Sequence, residues 1–456
     1  MTCLSSACKA IIPRKPFAKG CLILLVLWLL GVFLPLNLAW KNHTRFGASR
    51  KITWCFPNAD FSQYYMAGMA ARNGLWSHLY PKYKPEWAGR PGRQIWSSDC
   101  AVADPELLEK LTDLPAWRVE NIAPPPQAIL CLPFALLPFA TAFKVWMTGL
   151  ICAALGVVVC AAQIYRRLGG TSAYVEGGLY LFGAVLPVLP RIGAGDNAMM
   201  YLVFCAGVAA LAWTGQHSFK LGLSLIIPGV FKALTLSWCP LLLVKPVKWR
   251  LLGWLAFWTV LLNGLVLWLG GLQPYTTWWH DILPDATSMD VQRYWEHTMN
   301  LKGIAFHWGW ESFPAGAMKV FYVAGLLALY LGFWRRRRDE GPAALANVCA
   351  AMVAALVLFN LCNPVSWLPY ITFLLPFAGW AILEYLRCSP AGKTRMKMAA
   401  AILFVAVPAI HFLVLGVLLK QSHASLGAGR DLYLGVDILF LVLAYRRLFH
   451  AGAVPQ

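Results

Sequence analysis

Charged residues are scarce in this sequence, and acidic ones are the scarcest. Of 456 residues only 13% are charged and only 20 are Asp or Glu, whereas roughly a quarter of an ordinary soluble protein is charged. Hydrophobic residues reach 59%, and they form runs of about 20 residues, the length that crosses a bilayer. The composition therefore excludes a soluble protein and predicts an all-α polytopic membrane protein.

Several motifs are absent as well. The sequence contains no CxxC or HExxH pair, so it gives no sign of a metal site. The loops between the apolar runs carry no GxGxxG or GxxxxGK[ST] motif, which argues against a nucleotide site. We therefore expect no metal and no cofactor. Cys55 and Cys100 fall in the same polar segment, where an oxidising compartment would allow a disulfide between them.

The net charge of +19 is concentrated between the apolar runs. With the N-terminus inside, every basic cluster lies on the cytoplasmic side, as the positive-inside rule requires. This placement favours contact with anionic lipid heads and argues against nucleic-acid binding. The clusters are Arg166–Arg167, Lys245/Lys248/Arg250, Arg335–Arg338, Lys393/Arg395/Lys397 and Arg446–Arg447.

The apolar runs predict one membrane domain over residues 1–456, with two long polar segments on the outer side at about 41–121 and 273–315. The first run, Gly20–Trp40, is too long for a cleaved signal peptide and is interpreted as a retained span and signal-anchor. Further spans are expected at about 141–164, 171–191, 196–214, 250–271, 316–334, 343–362, 367–386, 398–419 and 432–446.

Two segments do not read as simple spans. "APPPQAILCLPFALLPF" is short and rich in proline, which favours a re-entrant or interfacial element. Leu221–Lys245 has basic residues at both ends and Pro228 and Lys232 in its middle. If both ends are cytoplasmic, this segment is a hairpin of two half-helices.

The stretch "NADFSQYYMAGMAARNG" follows the first span and carries the lone acid Asp60. Its apolar and small residues recur at helical spacing and Gly74 suits a helix end, so we expect a short amphipathic helix on the outer membrane surface. Asp60 would then be either a helix cap or a general base. The residues alone leave both roles open.

The stretch "DFSQYYMAGMAARNGLWSHLY" resembles the first-loop signature of polyprenol-phosphate-sugar-dependent glycosyltransferases of the GT-C fold, and in particular glycosyltransferase family 87, which includes bacterial mannosyltransferases. The resemblance implies a GT-C-like bundle of about ten to twelve transmembrane helices. It also implies that Asp60 is the catalytic base and that Tyr64 and Tyr65 lie on a substrate-binding helix.

Three further segments match the family in the same order. "IAPPPQAILCLPFALLPFATAFKVW" resembles its Tyr-Pro-Pro element without the tyrosine, and the Leu221–Lys245 hairpin places Lys232 on the family lysine. "NPVSWLPY" resembles a Ser-Pro-x-Ser-Trp-x-His-His motif, in which Ser366 and Trp367 are kept and Pro369-Tyr370 replaces the His pair. "GAGDNAMM" stands where the family often has Gly-Gln-x-Asn, with Asp196 in place of the glutamine.

Residues outside these matches add weaker candidates. Asp196 rivals Asp60 as the base or caps a helix, and Arg191 is a phosphate contact or an interfacial arginine. Lys302 and His307, in the second outer segment, are expected to bind phosphate or acceptor, although most charges there suit a solvated face. Asp437 and Glu176, in or near spans, are expected to be buried and paired.

These features together predict an inverting glycosyltransferase of the bacterial inner membrane, with both termini cytoplasmic and its active site facing outside. Nucleotide sugars stay in the cytoplasm, so the expected donor is a polyprenyl-phosphate sugar, with mannose the first choice, and the expected acceptor is a lipid or glycan. The alternative is a transporter or flippase of a lipid-linked saccharide, which would show inverted repeats and acids at mid-membrane.

Overall fold

A computed structural model describes residues 13, 15–35, 59–80, 123–184, 199–213, 218–231, 238, 241–242, 244, 248–284, 300–310, 314–363, 368–387 and 423–450. Every regular element within these ranges is helical, which confirms the all-α prediction. The helices are α1 (Pro16–Val26, continued by π-helical Leu27–Phe33), α2 (Ala59–Arg72), α3 (Pro126–Ala135), α4 (Phe139–Arg167), α5 (Ala173–Ala184), α6 (Met199–Trp213), α7 (Ser218–Phe231), α8 (Trp249–Gly270), α9 (Gln273–Thr277, continued by π-helical Trp278–Ile282), α10 (Leu301–His307), α11 (Ala315–Arg335), α12 (Gly341–Cys362), α13 (Ala378–Arg387) and α14 (His423–Phe449).

Four of the helices in these ranges, α4, α8, α11 and α12, are long and apolar enough to cross a membrane. They differ in how far the rest of the protein covers them. α12 is buried along almost its whole length, so it lies at the centre of the bundle. α8 and α11 leave most of their apolar side chains uncovered, as expected of helices that face lipid. The chain is therefore an integral membrane protein.

The predicted basic clusters gather at one end of the bundle. Arg167, Lys248, Arg336 and Arg337 line a single cavity. Arg447 Nε donates a hydrogen bond to Oδ1 of Asn347, a residue of α12 that lines the same cavity. We call this the basic end, and the opposite end the loop end. The gathering agrees with the predicted one-sided placement of these clusters, whereas Lys245 and the 393–397 cluster lie outside the described residues.

The segment between α6 and α8 returns to the end from which it starts. Lys248 Nζ donates a hydrogen bond of 2.9 Å to the carbonyl oxygen of Trp213, so the two ends of the segment meet at the basic end. This meeting of the two ends agrees with the predicted hairpin. Its first arm is α7, which contains Pro228, but the described residues of its second arm (238, 241–242 and 244) form no α-helix. Trp238 anchors that arm through its Nε1, which donates to Met352 O of α12.

Other spans differ in detail from their predicted bounds. The run expected as one helix over 367–386 begins as a 3₁₀-helix, Leu368–Phe377, and becomes α13 only after Pro376, which lacks an N–H to donate. α14 begins at His423, nine residues before the predicted start. The predicted span 398–419 and the Cys55–Cys100 pair lie outside the described residues.

The two acids expected inside the bundle behave differently. Glu176 is buried and paired, with its Oε1 3.5 Å from Arg166 Nε and accepting a hydrogen bond from the Tyr180 hydroxyl. Asp437 is fully buried, as expected, but its carboxylate oxygens meet no hydrogen-bond partner among the residues that the structure describes.

Candidate functional site at the loop end

Helix α2 carries the lone acid of the opening stretch. It begins at Ala59, so Asp60 lies in its first turn, where the helix dipole favours a negative charge. It ends in a left-handed residue, Gly74 (φ +69°), with hydrogen bonds from Leu75 N to Ala70 O and from Gly74 N to Ala71 O. This pairing is the Schellman arrangement, which satisfies the last carbonyls of a helix. The predicted helix and its glycine end are both confirmed.

The surroundings of α2 are not those of the amphipathic surface helix that the sequence suggested. Residues 64–71 are all buried, which is more than two turns and therefore the whole circumference of the helix. Small residues allow this close packing. A Cβ atom on Gly68 would lie 2.6 Å from the carbonyl oxygen of Cys131, so the backbones of α2 and α3 touch at this point. Helix α2 is therefore enclosed by the protein.

Side chains around α2 hold α3 at both ends. The Tyr65 hydroxyl donates to Leu137 O over 2.8 Å, and Arg72 donates to Ala135 O over 2.7 Å, which satisfies carbonyls that the end of α3 leaves free. The Tyr80 hydroxyl donates to Ala123 O, where the chain enters α3. Tyr65, expected to bind substrate, thus has a structural bond. Arg72 and Tyr80 were not singled out from the sequence, because only their partners reveal their roles.

An aromatic cluster supports the first turn of α2. The Phe61 side chain is fully buried, and its ring lies 5.4–6.2 Å from five other aromatic rings. Such contacts are rigid and directional, so they fix the backbone on which Asp60 stands. The aromatic cluster consists of Phe61, Tyr64, Tyr65, Phe134, Phe139, Phe143, Trp146, Tyr201 and Phe231.

Within this cluster, Tyr64 joins the Asp60 helix to the end of α7. Its ring packs against Trp146 of α4 at 5.3 Å and against Phe231 at 5.4 Å, the latter in a T-shaped contact. Phe231 is the last residue of α7, and Lys232 follows it. Asp60 precedes Tyr64 by one helical turn. The two residues predicted to act as base and phosphate partner therefore belong to chain segments that meet at Tyr64.

A second junction joins the other two predicted segments. Asn300 is fully buried, and its Oδ1 accepts a hydrogen bond from Gly303 N, which caps α10. Its Nδ2 donates to Asn363 O, three residues before Ser366. Lys302 is half-buried in the first turn of α10, and His307 is the last residue of that helix. The structure thus brings the Lys302–His307 helix to the start of the segment that contains Ser366 and Trp367.

Both junctions lie at the loop end. Trp146 precedes Arg167 by 21 positions on α4, and Asn363 follows α12, whose 22 residues begin at the basic-end cavity. At 1.5 Å per residue each of these two stretches spans about 30 Å, so both junctions are on the far side of the bundle from the basic end. Arg191, Asp196, Lys232, Ser366 and Trp367 themselves lie outside the described residues, as do the side chains of Asp60 and His307.

Comparison with known proteins agrees with this architecture. The model of glycosyltransferase family 87 matches residues 122–364, slightly more than half of the chain. The matched region starts after α2 and contains both Lys232 and α10. Comparison of the sequence with curated proteins gives no match.

Proposed function

The chain belongs to glycosyltransferase family 87, and on that premise we propose that it transfers a sugar, mannose as the first choice, from a polyprenyl-phosphate donor to a lipid or glycan acceptor at the loop end. The observation that carries this proposal is the Tyr64–Phe231 contact. It places the segment with the acid next to the segment with the lysine, although the two are far apart in sequence.

The proposed reaction is a single displacement that inverts the anomeric carbon. The Asp60 carboxylate takes the proton from an acceptor hydroxyl as the hydroxyl oxygen attacks the anomeric carbon. The bond from that carbon to the phosphate oxygen breaks, and its electron pair leaves with polyprenyl phosphate. A cation beside the phosphate stabilises the charge that develops on it, and Lys232 is our first candidate for this role.

The remaining predicted residues are assigned by the segment to which they belong. Lys302 and His307 on α10 are proposed to contact the donor phosphate or the acceptor, and Ser366 and Trp367 extend that side of the site. Arg191 is a further phosphate contact, and Asp196 is the alternative base. Tyr64 shapes the floor beneath the reacting groups, a role that its contacts with Trp146 and Phe231 support.

The charge distribution supports an orientation. The positive-inside rule places the basic end in the cytoplasm, so the loop end faces the outer side, in bacteria the periplasm. A donor carried on a lipid is available there, whereas a nucleotide sugar is not. We propose the inner membrane as the location for the same reason.

The test is transfer from synthetic polyprenyl-phosphate mannose by the purified full-length protein, with Asp60→Asn as the first variant. Asparagine has nearly the size of aspartate and loses only the interaction of the charge with the helix dipole, about 0.3–1 kcal/mol, but it cannot take up the proton. We expect transfer to fall by at least about a hundredfold, the usual contribution of a general base. Near-normal transfer by this variant would exclude Asp60 as the base.

Two further variants separate a catalytic from a structural effect. Asn58→Ala changes the residue that immediately precedes α2 in the sequence and leaves Asp60 in place; the loss of a helix cap costs about 1 kcal/mol. This variant should lower the midpoint of thermal unfolding while leaving the rate of sugar transfer by the folded protein nearly unchanged. Lys232→Met should lower transfer strongly and Lys232→Arg less so, because only the first removes the charge.

A further inference from the structure

A cavity at the basic end is not used by the proposed reaction. Its volume is about 580 Å³, and it lies between the ends of α4, α6 and α11, the returning arm of the α6–α8 segment and the start of α12. Leu241, Phe333 and Leu345 give it apolar walls, and its ionisable lining consists of Arg167, Lys248, Arg336, Arg337, Asp339 and Glu340. About 30 Å of helix separates it from the loop-end junctions.

The cations of this cavity donate hydrogen bonds to backbone carbonyl groups. Arg167 donates to Leu211 O, Lys248 to Trp213 O and Arg337 to Trp334 O. Each acceptor lies in the last turn of a helix, where carbonyl groups lack helical partners. The guanidinium of Arg337 also lies 4.2 Å from the centre of the Trp334 ring. Carbonyl oxygens and an aromatic face orient these charges without neutralising them.

The acidic residues do not balance the charge. The lining has four cations against two carboxylates, an excess of two positive charges in a confined space. One of the carboxylates, Asp339, accepts a hydrogen bond from Asn347 Nδ2 and so is already engaged by a residue of α12. Lys248 is half-buried beside this cavity, and its burial lowers the pKa of its ammonium. A cavity of this kind favours an anion that accepts several hydrogen bonds.

We propose that this cavity binds a phosphate group, carried either by the headgroup of an anionic phospholipid or by free phosphate. Arginine suits this ligand because its planar donors match two phosphate oxygens at once. The position fits a headgroup, because the end of a transmembrane bundle lies at headgroup depth and anionic lipids concentrate on the cytoplasmic side. The site would act independently of sugar transfer at the other end.

The decisive variant is Arg337→Gln, with Arg338→Gln as its matched control. Both replace one arginine of the same turn, but Arg338 is exposed and does not line the cavity. The Arg337 side chain makes local contacts with Trp334, so its loss should not disturb the fold. Native mass spectrometry of the full-length protein in detergent measures bound phosphatidylglycerol, with phosphatidylcholine as the zwitterionic comparison. We expect Arg337→Gln to weaken phosphatidylglycerol binding about fivefold and Arg338→Gln to leave it nearly unchanged.

A second measurement needs no variant. The thermal midpoint of the wild-type protein is followed with inorganic phosphate and with chloride at equal ionic strength. Stabilisation by phosphate together with competition against phosphatidylglycerol identifies free phosphate as a ligand, whereas phosphatidylglycerol binding without a phosphate effect identifies the lipid. Equal losses in the two arginine variants overturn the proposal, because they would indicate general surface charge. The proposal is also overturned if phosphatidylglycerol binds no better than phosphatidylcholine and inorganic phosphate does not raise the thermal midpoint.

Discussion

The side chain of Asn300 joins two segments that are 63 positions apart in the chain. Its amide nitrogen donates to Asn363 O over 3.1 Å, and its amide oxygen accepts from Gly303 N over 2.7 Å. One buried side chain therefore fixes both the start of α10 and the point at which the chain leaves α12. This relationship allows the two roles to be tested separately.

Asn300→Asp keeps the oxygen that caps α10 but replaces the donor to Asn363 O by a second oxygen. We expect a loss of about 1–3 kcal/mol in stability, because the Asn363 carbonyl then faces an acceptor. Asn300→Ala removes both bonds and should destabilise more. Thermal unfolding of the two purified variants measures the difference. If Lys302 and Ser366 serve one site, Asn300→Asp should also raise the KM for the donor; an unchanged KM would show that this junction does not support the site.

Gly68→Ala should force α2 and α3 apart. The new methyl group would lie 2.6 Å from Cys131 O and 3.1 Å from Ala135 Cβ, and the first of these atoms is backbone that cannot rotate away. We expect about 1–3 kcal/mol of destabilisation, together with reduced transfer, because α2 carries Asp60. Gly264→Ala is the matched control, since a Cβ on this helical glycine meets nothing within 4 Å. It should be neutral or stabilising by up to about 1 kcal/mol.

Tyr65→Phe should act on stability and leave substrate binding unchanged. The substitution keeps the ring in the aromatic cluster and removes the hydrogen bond to Leu137 O, at a cost of about 1–2 kcal/mol. Steady-state kinetics should therefore show an unchanged KM for the donor, whereas thermal unfolding should show a lower midpoint. Tyr174→Phe is a suitable control, because Tyr174 is 68% exposed. A raised KM in Tyr65→Phe would contradict this expectation and support the substrate-binding role predicted from the sequence.

Lys248 predicts a pH dependence whose sign is fixed by its burial. Desolvation lowers the pKa of this ammonium from its ordinary value of 10.5, so the folded protein bears a cost while Lys248 is protonated. That cost diminishes as the pH rises toward 10.5, because the folded protein loses the proton first. The stability of the wild type relative to Lys248→Met should therefore increase between neutral pH and about pH 10.

The wild type and Lys248→Met share all the other ionisable groups around residue 248, so the effects of those groups on stability cancel in the difference. Unfolding in denaturant at several pH values gives the difference, and Lys220→Met, at an exposed lysine of α7, is the control for removing a lysine side chain. A difference that is flat or falls with pH would contradict the prediction. The other ionisable groups that face the same cavity are Arg167, Arg336, Arg337, Asp339 and Glu340.

Several features of the fold could be predicted because they depend on local pattern and charge. The apolar runs of α4, α8, α11 and α12 are long enough to be predicted as membrane spans from the sequence. Basic residues at both ends of Leu221–Lys245 predicted that the chain returns there, and the Lys248–Trp213 bond agrees with this. Gly74 was identified as the end of α2 because a left-handed helix end favours glycine. The 3₁₀ stretch before α13 was missed, since a run of apolar residues does not show how its prolines reshape it.

By itself, the sequence determined that this protein is a helical membrane protein and that its basic clusters lie on one side of the membrane. It also determined which residue types could perform sugar transfer. These properties follow from hydrophobicity and charge summed along the chain. Only the tertiary structure decided that α2 is enclosed and that Tyr64 meets Phe231. It also decided that Tyr65 holds α3, that Asn300 joins α10 to the end of α12, and that four basic residues line one cavity. Such contacts depend on how helices distant in sequence pack together, and hydrophobic periodicity specifies which face of a helix is buried but not the partner that covers it.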